Sequence, residues 1–353
     1  MGILSGGKTD PNKILPIKYP WARQYYKDGK NNNWNPEEVP MQDDVEMWKS
    51  PDALTDHERR LILWNLGFFS TAESLTANNI VLAIYRHITD PTCRQYLLRQ
   101  VFEEAIHTDT FIYCCDTLGL DPDGVYNMYQ TIPSIKTKDD FVVDLTKTIF
   151  DNHFHIEPYF PCPEGKGEQA VRDWKRYKER RDNQIRAFLK DLIGYYVIME
   201  GIFFYAGFAM MLALKRQKKM IGVGEQFEFI MRDESIHLAF GVDLINTIRQ
   251  EEPDVWTPDL EKEIATLISH AVCLENAYAH DACPQGLLGI NADQFCNYVE
   301  YIADRRLERL GMPKHYDVPN PFPWMSQSVD LIKEKNFFET RVTEYQVGGL
   351  NWD

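Results

Sequence analysis

The chain has 353 residues, with 53 acidic against 38 basic side chains and a net charge of −15 at neutral pH. That balance leaves no positive excess to neutralise phosphates and argues against a nucleic-acid partner, while 44% hydrophobic and 13% aromatic residues exclude disorder as the overall state. The length suits one large domain or two average ones, with a deep core at either count.

Residues 1–45 are rich in Pro, Asn, Lys and aromatics without sustained periodicity and read as an irregular N-terminal segment. Helical signals begin at Thr55-Asp56-His57-Glu58, which has the form of a capping box. The apolar residues that follow keep helical spacing to about Ile88, where Asp90-Pro91 makes a stop and a restart. The second helix is predicted to run to about Leu118 and to be capped by Gly119. Further helices are predicted over about 122–131, 138–151, 168–214, 225–250, 257–280 and 291–310, with a Pro- and Gly-bearing loop at His153–Gly167. No run alternates apolar and polar residues long enough for a sheet, and no Gly-rich phosphate loop, repeat or low-complexity tract is present. From Met312 the chain reads as an extended tail.

Seven cysteines, an odd number without a CxxC pair, make neither a disulfide framework nor a zinc ribbon. Met1–Gly6 lacks the basic and apolar regions of a secretory signal, and Gly6 stands where a myristoylation signal needs Ser or Thr. The expectation is a reduced, cytoplasmic protein. One stretch resists a soluble reading: Gly194–Leu214 spans 21 residues with Glu200 as its one charge. Its length would cross a bilayer, but it equally suits a central helix buried on all sides, and no second span or loop charge pattern supports a membrane.

Of the nine histidines, two follow a Glu by three residues, in Glu104-x-x-His107 and Glu234-x-x-His237. Residues three apart share a helix face, so each pair can aim a carboxylate and an imidazole at one point. A lone Glu lies in an apolar helix upstream of each pair, Glu73 by 31 residues before Glu104 and Glu200 by 34 before Glu234. The midpoints fall at the Asp90-Pro91 break and at the Lys218–Gly224 break. Each chain segment therefore climbs one helix, turns and descends an antiparallel partner, returning its lone Glu to the level of the ExxH pair. Two such hairpins packed together give a four-helix bundle with four carboxylates and two imidazoles at its centre, the known ligand pattern of dinuclear carboxylate proteins of the ferritin-like class. Four buried carboxylates repel and protonate unless cations compensate them. Oxygen and imidazole ligands suit iron or manganese. Phe203, Phe204 and Phe208 after Glu200, with Ile230 before Glu234, are expected to form an apolar wall beside the metals. The predicted architecture is all-α: residues 1–45 irregular, 46–311 a ferritin-like helical domain, 312–353 a tail.

The segments Phe102-Glu103-Glu104-Ala105-Ile106-His107, Met199-Glu200-Gly201-Ile202-Phe203-Phe204 and Arg232-Asp233-Glu234-Ser235-Ile236-His237 closely resemble the small, radical-generating subunit of class I ribonucleotide reductase. The resemblance runs from Pro16-Ile17-Lys18-Tyr19 through Asn33-Trp34 to Arg341–Tyr345. It implies that Glu73, Glu104 and His107 hold metal site 1 and that Glu200, Glu234 and His237 hold site 2, with Glu104 and Glu234 bridging. In the common form a radical-bearing Tyr sits four residues after the first ligand His, and here that position is Phe111. A benzene ring has no phenolic proton and cannot store a stable hole, and Tyr113 points about 200° around the helix from Phe111, at about 100° per residue. The first ligand, Glu73, replaces the usual Asp. Together these look like subclass Ic, the chlamydial type, which implies Mn at site 1, Fe at site 2 and a high-valent Mn/Fe state in place of a tyrosyl radical, with di-iron as the other loading.

By the same resemblance Trp34 is the relay tryptophan, and Asp233 hydrogen-bonds both Trp34 and His107. Tyr345 passes the hole to the large subunit, with Glu339 as its helper. The implied partners are dioxygen, a second copy of the chain and a large catalytic subunit that binds the nucleotide and the C-terminal tail. Two rivals stand beside this reading. One is a Mn/Fe ligand-binding oxidase of the same fold acting alone on a lipid-like substrate; the other is an iron-storage bundle.

Overall fold

The computed structural model describes residues 2–4, 14–151, 153–287 and 289–325. Among them there is no β-strand, only an isolated antiparallel bridge between Leu287 and Ile290. In chain order the α-helices are α1 Pro20–Asn31, α2 Gln42–Lys49, α3 Asp56–Asn79, α4 Tyr85–His87, α5 Pro91–Leu118, α6 Pro122–Tyr126 and α7 Met128–Thr131. They continue as α8 Pro133–Phe150, α9 Gly167–Leu192, α10 Tyr205–Arg216, α11 Ile221–Glu251, α12 Pro258–Ala282 and α13 Ala292–Arg309. Two stretches are π-helical, Ile80–Ile84 between α3 and α4, and Ile193–Phe203 between α9 and α10.

The helix starts read from the sequence are made by the predicted side chains. Thr55 Oγ1 accepts the Glu58 N–H while Glu58 Oε2 accepts the Thr55 N–H, closing the capping box. Asp90 Oδ1 accepts the Thr92 and Cys93 N–H groups at 2.8 and 2.9 Å, and Gly119 ends α5 at φ 67°. α3 packs on α5, and the π segment 193–203 with α10 packs on α11. These two hairpins meet in a four-helix core, and α8, α9, α12 and α13 wrap the second of them. Every residue from 191 to 214 is buried. The continuous helix 167–216 is the one described segment long and apolar enough to cross a membrane, and its apolar window lies wholly inside the protein.

Three features differ from the sequence expectation. The segment 1–45 is not irregular throughout: α1 starts on Pro20 in its first turn and lays Ala22, Tyr25 and Gly29 against the bundle. The spacing Trp21, Tyr25, Gly29 is a four-residue helical stripe carried by aromatics and glycine rather than aliphatics. The stretch 168–214 is not one α-helix but α, then π, then α. The tail does not leave the body at Met312. Asp304 accepts the backbone N–H groups of His315, Tyr316 and Asp317, and Phe322 and Met325 are buried, with Phe322 against Phe295 and Tyr298.

Candidate metal centre

The two antiparallel hairpins bring all six predicted ligands together. Glu73 comes from α3, Glu104 and His107 from α5, Glu200 from the π segment, and Glu234 and His237 from α11. They form two groups, Glu73–Glu104–His107–Glu234 and Glu104–Glu200–Glu234–His237, in each of which one ligand atom per residue lies within 4.8 Å of the others. Glu104 and Glu234 belong to both groups, the position bridging carboxylates require. His107 Nδ1 lies 3.3 Å from Glu73 Oε2 and 3.1 Å from Glu234 Oε1, and His237 Nδ1 lies 3.1 Å from Glu104 Oε1. All six side chains are completely buried.

The hydrogen-bond accounting of this cluster fits a pair of cations. Glu73 Oε1, both oxygens of Glu104, Glu200 Oε2, both oxygens of Glu234 and His237 Nδ1 are buried without a hydrogen-bond partner. Buried polar atoms normally find partners, and orphaned acceptors converging on two points are what multivalent ions satisfy. The groups also press on one another electrostatically. Burial drives the Glu73 and Glu200 carboxyls well above the usual range. Burial works against Glu104 too, but His237 and His107 outweigh it and bring it down to about 2. For the two imidazoles burial favours the neutral form, and the surrounding carboxylates overcome it and hold both well above the ordinary histidine value.

Each imidazole turns Nδ1 inward and its other nitrogen to a carboxylate. His107 Nε2 lies 3.4 Å from Asp233 Oδ2, and His237 Nε2 lies 2.9 Å from Glu103 Oε2. An outer carboxylate of this kind fixes the tautomer and ring direction of a metal-binding histidine. Asp233 Oδ2 also accepts the Trp34 indole N–H at 2.8 Å, and Arg232 donates to Asp233 Oδ1 at 2.9 and 2.8 Å through Nε and Nη2. Burial opposes the Asp233 anion, yet Arg232 and His107 hold its carboxyl below the usual range. Glu103 is a site residue that the sequence reading missed, although the signal was present. Each ExxH motif is preceded by an acid, Glu103 or Asp233, and each acid serves the histidine of the other motif. Gln100 was missed as well; its Nε2 donates to Glu200 Oε1 at 3.0 Å and its Oε1 accepts the Tyr196 hydroxyl at 3.1 Å.

Phe111 is fully buried, its ring 6.0 Å from Phe69 and 5.9 Å from Phe227. Phe204 and Phe208 join the same cluster through Phe69, at 4.8 and 5.1 Å. Phe203 does not; it faces Phe141 and Lys138 on the far side of the π segment. The wall is thus built by Phe69 and Phe227 in place of Phe203, each a whole number of turns from a ligand on its own helix. Tyr113 points away, its hydroxyl donating to the Val39 carbonyl. Glu339 and Tyr345 lie outside the described residues.

The family model for the small chain of ribonucleotide reductase matches residues 11–321. The chain is 54% identical over 352 residues to the ribonucleoside-diphosphate reductase subunit beta of Chlamydia pneumoniae, covering 99% of this chain and 95% of that one. It is 30% identical over 341 residues to ribonucleoside-diphosphate reductase small chain 1 of Saccharomyces cerevisiae, covering 96% and 74%. The solved ribonucleotide reductase R2 subunit of Clostridium botulinum superposes with a TM-score of 0.73 at 25% identity, covering 88% of this chain and 89% of that one. With the ferritin-like bundle and the six-ligand cluster in place, these likenesses establish that the chain belongs to the small-subunit family of class I ribonucleotide reductase, an oxidoreductase, and that it is chlamydial-like within that family.

Proposed function

We propose that this small subunit holds one manganese and one iron, Mn at the Glu73–His107 side and Fe at the Glu200–His237 side, and supplies the oxidising equivalent for ribonucleotide reduction on a large subunit. The observation that carries the proposal is Phe111. One turn after His107 stands a benzene ring walled by Phe69 and Phe227, so no phenol is present there to hold the hole. A Mn/Fe pair, when bound, supplies dioxygen reduction and storage of the oxidising equivalent. The chain's own residues do the rest. The four carboxylates and two imidazoles would hold the two ions, and the phenylalanines exclude water from the side on which an oxidant would be lost. Asp233 links the His107 imidazole to the Trp34 indole through hydrogen bonds, a continuous path from the centre to a ring that is 3% exposed. From Trp34 the hole passes to Tyr345, aided by Glu339, and on to the large subunit.

A second copy of the chain has a ready surface. Leu98, Phe102 and Ile112 form an exposed apolar stripe along α5, beside exposed Val81 and Leu82 of the first π segment. A stripe of this kind is what a homodimer buries. A reducing, cytoplasmic setting belongs to the same reading.

Metal analysis with EPR on protein activated in the presence of both metals tests the proposal. The expected result is equimolar Mn and Fe per chain with no tyrosyl signal. Activity that tracks iron alone, accompanied by a tyrosyl signal, overturns the mixed-metal reading.

A further inference from the structure

The π segment that carries Glu200 returns to α-helix at Phe204, and three buried charged side chains converge on that return. Lys138 Nζ, from α8, donates to the Phe203 carbonyl at 3.1 Å. Glu275 Oε1, from α12, accepts the Ala206 N–H at 3.2 Å. Arg306 Nε, from α13, donates to the Gly201 carbonyl at 2.9 Å. Lys138 and Glu275 also form an ion pair at 2.5 Å with both side chains fully buried. The ammonium sits 3.5 Å from the centre of the Phe68 ring and 4.1 Å from that of Tyr278.

A charge pair in such surroundings is not explained by stability. Desolvating two ions offsets most of their attraction, and apolar side chains of similar volume usually serve a core as well or better. What apolar side chains cannot do is bind backbone groups. A change of helical pitch interrupts the regular hydrogen-bond ladder, and the clamped groups, two carbonyls and one N–H, all lie within four residues of the change. The three side chains come from three helices outside the ligand-bearing four, so they tie the junction to the outer shell. Burial pushes the Glu275 carboxyl up to about 7 against the pull of Lys138, as expected for a pair kept in place despite its electrostatic cost.

We propose that Lys138, Glu275 and Arg306 are positioning residues that lock the register at which the π segment returns to α-helix, and through it the place of Glu200 in the metal centre. The inference rests on Glu200 being a metal ligand. Without the clamp the segment is free to shift toward ordinary α pitch, which rotates Glu200 relative to Glu104, Glu234 and His237.

The test uses the full chain carrying K138M/E275L, with R306L and R306K as a second pair of variants. Thermal unfolding, hydrogen–deuterium exchange and Mn(II) titration followed by EPR are read on each. The double variant is expected to fold and to melt no higher than the wild type, because apolar volume replaces the pair while the Phe203 carbonyl and the Ala206 N–H lose these partners. Its amides at 201–206 are expected to exchange about tenfold faster. The Mn(II)-binding step that E200A abolishes is expected to weaken about tenfold, with the other step unchanged. Wild-type exchange and wild-type Mn(II) binding in the double variant overturn the clamp and leave the pair a packing feature. Should that variant not fold, R306L carries the test at Gly201: faster exchange there, restored by R306K, supports the clamp, and wild-type exchange overturns it. A wild-type chain that binds fewer than two Mn(II) overturns the metal reading instead, and the exchange data still decide the clamp.

Discussion

Asp233 binds groups from three parts of the chain, the Trp34 indole, the His107 imidazole and the Arg232 guanidinium. Replacing Trp34 by Phe keeps a flat ring able to stack on Phe229, whose centre lies 5.0 Å away, and removes only the N–H and the low oxidation potential of indole. Asp233 stays charged through Arg232 and continues to hold His107. Trp34→Phe is therefore expected to bind both metals at wild-type stoichiometry and to lose nucleotide reduction. Metal analysis beside a turnover assay with the large subunit checks this, and wild-type turnover would remove Trp34 from the route. At this scale most of the site was legible in the sequence, because ligand chemistry restricts residue type and helical geometry restricts spacing. Glu103 was harder to see. Its role depends on which histidine lies across the bundle, and spacing along one helix carries no information about that.

The elements show where local pattern stops being informative. α3 and α5 could be read from caps and breaks because Thr55, Asp90 and Gly119 act within a few residues of themselves. The π segment 193–203 could not. Helical pitch shows in a sequence only as the period of a buried stripe, and a segment buried on every side has no stripe. The wider turn is held by neighbours. Gly241 of α11 lies so close to the Tyr196 ring that an added Cβ would collide with it. Tyr196 in turn reaches Glu200 through Gln100. Gly241→Ala is thus expected to cost about 1–3 kcal/mol by overpacking. It should also weaken metal binding at the Glu200 side while sparing the Glu73 side. Chemical denaturation and Mn(II) titration measure the two effects; an unchanged midpoint would show that Tyr196 has room to move.

On the proposed reading the whole molecule divides the work of the enzyme between an enclosed oxidant and a partner that binds the nucleotide. The chain carries a net charge of −15, which disfavours an anionic nucleotide. The ligand cluster is completely buried, which on that reading would protect an oxidant and also keep substrate out. A hole would then travel from it, and beyond Trp34 the route would need an element that reaches the partner. Phe322 and Met325 are buried, with Phe322 against Tyr298 of α13. On the proposed reading Glu339 and Tyr345, which lie outside the described residues, serve the partner. Truncation after Arg341 removes Tyr345 and none of the residues that build the bundle or the ligand cluster. The truncated chain is expected to load both metals and consume dioxygen at the wild-type rate, yet to support no nucleotide reduction when mixed with the large subunit. Oxygen uptake and product formation, measured on the same preparation, separate the two functions. Undiminished turnover would mean that the tail is not the conduit, and slowed oxygen uptake would mean that it serves the metal centre instead.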